Sequence, residues 1–203
     1  MIAGLPAEGT IVIVEGASDR VAVETLARRL DRDLAAEGVS IVPIGGAHAI
    51  ANFLRLSAES RSTASFAGLC DAGEEGQFRV ALERAGLGKD LTRAGMERLG
   101  FFVCQADLEE EMVRSLGAPT SEKVVADMGQ LRSFRRFQME PAQQGRTFEQ
   151  QLRRFIGTHS GRKAQYARVM VEAMDLARVP HPLGGLMAYL GRPGLAPRPS
   201  AIS

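Results

Sequence analysis

The sequence has no tryptophan and only two tyrosines among its 203 residues, which argues against a dedicated platform for stacking single-stranded bases. Cysteine is as scarce. Cys70 and Cys104 each sit inside an apolar, strand-like run with no CxxC or Cys/His neighbour. A zinc site is therefore not expected, and a reducing cytoplasm is the expected location. The three histidines, His48, His159 and His181, are scattered without ligand spacing. No apolar run approaches the roughly 20 residues that a membrane span needs, so no membrane partner is expected. Met1 to Gly9, a short lead-in, lacks the basic-then-apolar layout of a signal peptide. No Gly-x-x-x-x-Gly-Lys-Ser/Thr loop occurs. Gly157 to Lys163 has the wrong spacing and no preceding strand, so ATP hydrolysis by this chain alone is not expected.

What is present is an ordinary globular composition, 45% hydrophobic and 24% charged, in a chain long enough for one domain plus an appendage. Thr10 to Val14 contains an unbroken apolar, mostly β-branched run, the signature of a strand buried on both faces. It is followed by Glu15, Gly16 for a sharp turn, and Ser18 as a candidate cap for an amphipathic helix reaching Leu34. Further strands are expected over Val39–Ile44, Ser65–Cys70 and Phe101–Gln105. Helices are expected between them, over Ala47–Ser60, Gln77–Leu87 and Thr92–Leu99, and a further one over Asp107–Leu116.

Such alternation predicts an α/β fold, a parallel four-stranded sheet covered by helices on both sides. Right-handed crossovers bring all the strand ends to one edge, the edge at which open α/β sheets bind ligands. That edge collects Glu15, Asp19, Gly45-Gly46, Asp71 and the acids after the fourth strand. Taken singly, each has a plainer reading: Glu15, Asp19 and Glu109 to Glu111 suit a helix dipole, and Gly45-Gly46 suits a turn. Their convergence is the stronger signal, because clustered carboxylates raise one another's pKa and call for a cation.

After Gly117 the pattern becomes wholly helical, with a cap at Thr120 or Ser121 and helices over Val124–Phe137, Phe148–Ile156 and Lys163–Leu176. The expected division is 1–117 for the metal-binding domain, 118–191 for a helical extension and 192–203 for a disordered tail. Between Leu131 and Arg168 there are nine basic residues and two acidic ones, a local excess of seven in a chain whose total is +1. A basic region beside an acidic edge suits a metal site that serves a polyanion, although a solvated helical face reads the same way. Phe134, Phe137, Phe148 and Phe155 fall at helix spacing, which is more often core than base stacking.

Val14-Glu15-Gly16-Ala17-Ser18-Asp19, Ile44-Gly45-Gly46, an Asp closing a later strand, and Asp107-Leu108-Glu109 together resemble a Toprim domain, over roughly residues 10 to 117. More narrowly, they resemble that of the OLD (overcoming lysogenisation defect) nucleases. The region of Ser160-Gly161-Arg162-Lys163 is similar to the helical extension that follows the domain there. The resemblance implies a Rossmann-like sheet and a Mg2+- or Mn2+-dependent endonuclease acting on DNA, RNA being a second option, with one or two ions. It implies Glu15 as metal ligand or general base, with Asp19, Asp71, Glu75, Asp107 and Glu109 as the remaining candidate ligands. Lys163 would stabilise charge at the scissile phosphate, and Gly45, Gly46, Arg153, Arg154, Arg162 and Lys163 would hold nucleic acid.

Two departures matter. The family's Asp-x-Asp reads Asp71-Ala72-Gly73, so Glu74 or Glu75 must reach the ion through a longer side chain, or the second ion is weak or absent. OLD proteins also carry an ATPase domain before the Toprim domain. Here the first strand opens the sequence, and a stand-alone nuclease, or one working with a separate ATPase subunit, is expected. A non-catalytic nucleic-acid- or partner-binding protein is the alternative, a small-molecule phosphatase or nucleotidyl transferase fits the same acids, and a homodimer sharing one basic groove is a further option.

Overall fold

The computed structural model describes residues 8–59, 63–158 and 161–192. Most of the lead-in, His159, Ser160 and the expected tail beyond Arg192 lie outside those residues. Strands β1 (Thr10–Val14), β2 (Val39–Pro43), β3 (Ser65–Asp71) and β4 (Phe101–Cys104) form one sheet. All its pairings are parallel and its order is β2-β1-β3-β4. Helices α1 (Ala17–Arg29), α2 (Ile50–Glu59), α3 (Glu75–Arg84) and α4 (Arg93–Arg98) connect the strands. Then follow α5 (Leu108–Asp127), α6 (Leu131–Gln138), α7 (Phe148–Gly157), α8 (Arg162–Ala173) and α9 (His181–Leu190). The expected four-stranded parallel sheet with helices on both sides is observed.

Side chains alternate across a strand, and here both faces are apolar. Ile11, Ile13, Phe66, Cys70, Phe101 and Val103 pack with Phe53, Phe78 and Met96 of α2–α4. Val12, Val14, Ala67, Leu69, Phe102 and Cys104 pack with residues of α1, α5 and α7–α9, including Leu26, Met112, Ile156, Tyr166 and Leu186. All four apolar residues of β1 are fully buried, and each such side chain contributes about 1.5–3 kcal/mol. From β1 the chain moves outward to β2, then crosses back to β3 on the other side of β1. The strand order therefore reverses between β1 and β3, and a crevice opens beyond their carboxyl ends.

Several local expectations are corrected. Ser18 is not the cap of α1. Gly16 is the N-cap, and the Asp19 carboxylate accepts from its N–H at 2.8 Å. The helix stops at Arg29 rather than Leu34, because Asp31 takes a left-handed φ of 55°; Leu34 is still buried, in the following loop. Helical structure continues past Leu116 through a break at Gly117, whose φ is 73°, so the expected cap at Thr120 or Ser121 lies inside α5. Ser121 is buried there, and its hydroxyl is directed at the Val113 carbonyl. Gly129 separates α5 from α6, where one continuous helix was expected.

The helices after Gly117 share the core of one sheet face. α8 lies along α1 and α5, and α9 against β4 and β3. Arg29, at the end of α1, donates to the carbonyls of Val171 (2.7 Å) and Met174 (2.5 Å) at the end of α8. Arg32 donates to the Met187 carbonyl of α9 at 2.8 Å. These guanidinium groups satisfy carbonyls that a helix end leaves without partners.

Candidate metal centre

The candidate side chains come from element ends. β1 delivers Glu15 and β3, its hydrogen-bonded neighbour, delivers Asp71. The first turn of α1 supplies Asp19, the first turn of α5 supplies Glu109, and the start of α8 supplies Lys163. The loop after β2 is fixed to Glu15 by the Gly45 N–H, which donates to the Glu15 carbonyl at 3.0 Å. Gly45 and Gly46 have φ of 76° and 111°, a region that side chains resist, and a Cβ at either would meet nothing within 4 Å. They keep that wall low. These residues line a cleft of about 410 Å³ at the crevice between β1 and β3.

Burial and like charge act together in this cleft. Asp71 is pushed up to about 8 by burial, then by the charges of Glu15, Asp107, Asp19 and Glu109. Burial also pushes Asp19 up to about 7; donation from Gly16 opposes this, and Glu109 and Glu15 reinforce it. Glu15 is raised by burial and by the charge of Glu74, while a hydrogen bond from Asp71 and the nearby Lys163 pull it down. Glu109 is 3% exposed, and its Oε1 lies 3.2 Å from Lys163 Nζ. Burial lowers the Lys163 pKa, but the carboxylates of Glu109, Asp107 and Asp19 outweigh it and hold the ammonium above its ordinary value.

Not every expected residue joins them. Glu75 turns to Arg93, pairing with its guanidinium, so the acid that faces Glu15 is Glu74, one residue earlier. Position 74 precedes the first turn of α3, and position 75 already points along that helix toward α4. Asp107 is taken up structurally: its carboxylate caps α5 by accepting from the Glu110 N–H at 2.9 Å, and it pairs with Arg153. Arg153 is thereby held to the rim by Asp107 and, at 3.9 Å, by Glu110. Arg162 donates to the Phe155 carbonyl and lies over that residue's ring, 4.5 Å from its centroid, closing the end of α7 rather than facing the cleft. Arg154 is exposed on α7. The phenylalanines of α6 and α7 pack edge-on and tilted on one another, which settles them as core.

The donor chemistry fits a hard divalent cation: oxygen ligands, clustered negative charge, and carboxyls that share protons in the cation's place. Among the described residues no three Asp, Glu, His or Cys side chains surround one point closely enough to cage an ion. Magnesium-type ions keep several waters and need only one or two carboxylates each, so an open, water-completed site is what the donor set offers. Cys70 and Cys104 are unpaired and buried, and burial pushes both thiols far up, which makes them inert.

A switch-point crevice in a parallel sheet, carrying a Glu after the first strand and an Asp at the end of the third, is the architecture of a Toprim domain. Residues 9–68, which carry β1, β2 and the first half of β3, match the family described as the overcoming lysogenization defect protein-like TOPRIM domain. The fold is similar to the C-terminal region of the Burkholderia pseudomallei OLD protein, with a TM-score of 0.68 and 19% identity over 90% of this chain and 96% of that one. It is also similar to the C-terminal region of the Xanthomonas campestris pv. campestris OLD protein, at 0.66 and 18% over 92% and 95%. No curated protein matches the sequence. Among the described residues no helix is long and apolar enough to cross a membrane.

Proposed function

We propose that this chain is the catalytic part of an OLD-type nuclease that hydrolyses DNA phosphodiesters with Mg2+ or Mn2+. The observation that carries the reading is the meeting of Glu15, Asp19, Asp71 and Glu109, from four separate elements, with Lys163 in one cleft. A divalent cation held there supplies an activated water and a counter-charge for the phosphate. Glu15 and Asp71, adjacent at the strand ends, would hold it, and either carboxylate could accept the proton of the attacking water. Glu109, 3.2 Å from its Nζ, orients Lys163, whose half-exposed ammonium stands where negative charge builds on the phosphoryl oxygens.

The substrate is polymeric in this proposal because the cations continue beyond the cleft, through Arg153 at the rim to Arg154 on α7. ATP hydrolysis, which the sequence has no phosphate loop to perform, would come from an ATPase domain or subunit acting with this one. The test is plasmid nicking with Mn2+ or Mg2+ in wild type and Glu15→Ala. Cleavage that requires both the cation and Glu15 is expected. Cleavage equal in the two proteins, or absent at every cation and pH, would refute the proposal.

A further inference from the structure

The basic residues between Leu131 and Arg168 divide into those with partners and those without. Arg135 pairs with Glu122, Arg153 with Asp107 and Arg168 with Glu172. Arg132 and Arg136 are exposed, and among the described residues neither forms an ion pair or a hydrogen bond, with Glu140 just beyond the helix or with any other. Both belong to α6, which contains no acid and turns Phe134 and Phe137 into the core. At about 100° per residue, Arg132, Arg136 and Met139 fall on one outward stripe. Met139 caps α6 in helical conformation and is 81% exposed, the most open of the large apolar side chains among the described residues.

We infer that this face of α6 docks the backbone of duplex DNA, with Arg132 and Arg136 on neighbouring phosphates of one strand and Met139 against the sugars beside them. That DNA is the occupant rests on the nuclease reading above; that the occupant is a polyanion rests on the charges. Arginines near a helix C-terminus suit the dipole, but like charges four residues apart repel, and α6 offers no carboxylate to relieve them. A row of phosphates relieves both at once. Four residues of helix advance about 6 Å, a step that successive phosphates of one strand can meet, and each guanidinium can grip phosphate oxygens through two parallel hydrogen bonds. Alone, Met139 leaves its apolar surface in water; against a duplex it would pack on deoxyribose and base edges, as apolar side chains do in groove contacts.

Printed contacts tie α6 to the body that carries the cleft. The Phe137 ring lies 5.6 Å from that of Phe155, over which the Arg162 guanidinium sits at 4.5 Å, and Arg162 adjoins Lys163. At its other end, the N-cap Gln130 accepts from the Tyr166 hydroxyl of α8 at 3.3 Å. With the thickness of α6 added, the arginine pair stands on the order of 20 Å from the cleft, about six base pairs of duplex. One DNA segment can therefore reach both places, and a substrate shorter than that cannot.

The test is fluorescence anisotropy of a labelled DNA duplex of about two helical turns with the full chain in EDTA, so that neither metal nor cleavage enters. The double variant Arg132→Ala/Arg136→Ala should weaken binding at least about tenfold at low salt and reduce the slope of log K against log salt by about two. Met139→Ala should weaken it at least about threefold with the slope unchanged, since no charge is lost. Arg55→Ala removes an exposed, ion-paired arginine from α2 on the other face of the sheet, and should leave affinity within about twofold. All three sites are exposed, and unchanged Tm values are expected to show that the variants stay folded. A double variant that binds like Arg55→Ala overturns the inference and leaves Mn2+-dependent nicking to be judged by itself. An affinity indifferent to Met139→Ala overturns it as well. So does a larger loss for an RNA duplex or for phosphatidylserine vesicles than for DNA, which would assign the face to another occupant. No duplex bound by wild type at low salt overturns it together with DNA as the substrate.

Discussion

Raising the pH should destabilise this protein when metal is absent, and the size of the effect follows from two carboxyls. Asp19 and Asp71 titrate near 3.8 when unperturbed, but folding moves them up to about 7 and about 8. Between those limits the folded chain keeps protons that the unfolded chain has released. Stability then falls by about 1.4 kcal/mol per pH unit for each excess proton. The loss begins above pH 4 and ends near pH 8, where the folded carboxyls have also ionised. Both side chains are partly open to water, so a slope of roughly 1–2 kcal/mol per pH unit is expected instead of the full two-proton value. In a domain of this size that is a fall in Tm of roughly 2–8 °C per pH unit. Glu37, lowered by its hydrogen bonds from Arg32, acts in the opposite sense but near and below its ordinary 4.5, outside the window. The assay is thermal or urea unfolding from pH 5 to 8 in EDTA, repeated with Mn2+. The cation should restore stability at pH 8 and do little at pH 5. Asp71→Asn, which fixes the neutral form, should flatten the metal-free slope and shrink the response to Mn2+. A metal-free Tm that is level or rising across this range, or an equal slope in Asp71→Asn, would refute the electrostatic account.

Arg29→Met removes the donor that holds the Val171 and Met174 carbonyls. A loss of about 2–3 kcal/mol by urea unfolding is expected. Gly68→Ala places a Cβ 2.5 Å from the Ile13 carbonyl oxygen and 3.2 Å from the Phe101 ring. It should cost at least about 2 kcal/mol and show as a lowered urea midpoint. Arg154→Ala, on the exposed face of α7, should weaken binding to duplex DNA similarly for unrelated sequences. It should also reduce the slope of log K against log salt by about one, measured by fluorescence anisotropy.

The acidic edge was legible because each member follows a strong local signal. An unbroken β-branched run marks β1, and whatever follows a parallel strand must lie at the ligand edge. Ser18 misled because a hydroxyl before a helix is the usual cap; here Gly16 is followed at the third helical position by an acid able to close the turn from inside, and that acid is Asp19. Glu74 and Glu75 were indistinguishable in sequence, since the choice rests on where α3 begins and on Arg93, eighteen residues further on. The helix α9 left no clear trace because His181 to Leu190 contains Pro182 and the pair Gly184-Gly185, which read as a turn. The structure supplies the reason for Gly185: a Cβ there would come 2.4 Å from the Phe102 ring, so the glycine is a condition of close packing on β4. Nor could spacing foretell that Arg153 and Arg162 spend their charge or hydrogen bonds on Asp107 and the end of α7.

The grip of Arg29 on α8 has a consequence for how this cleft can change over evolution. A single helix, α1, begins with the acid at the cleft and ends with the clasp on the helix that delivers Lys163. Inserting one residue midway would turn its two ends relative to each other by about 100°, so the carboxylate and the clasp could not both keep their stations. Drift in this lineage should therefore spare the length of that segment while its outward-facing letters change freely.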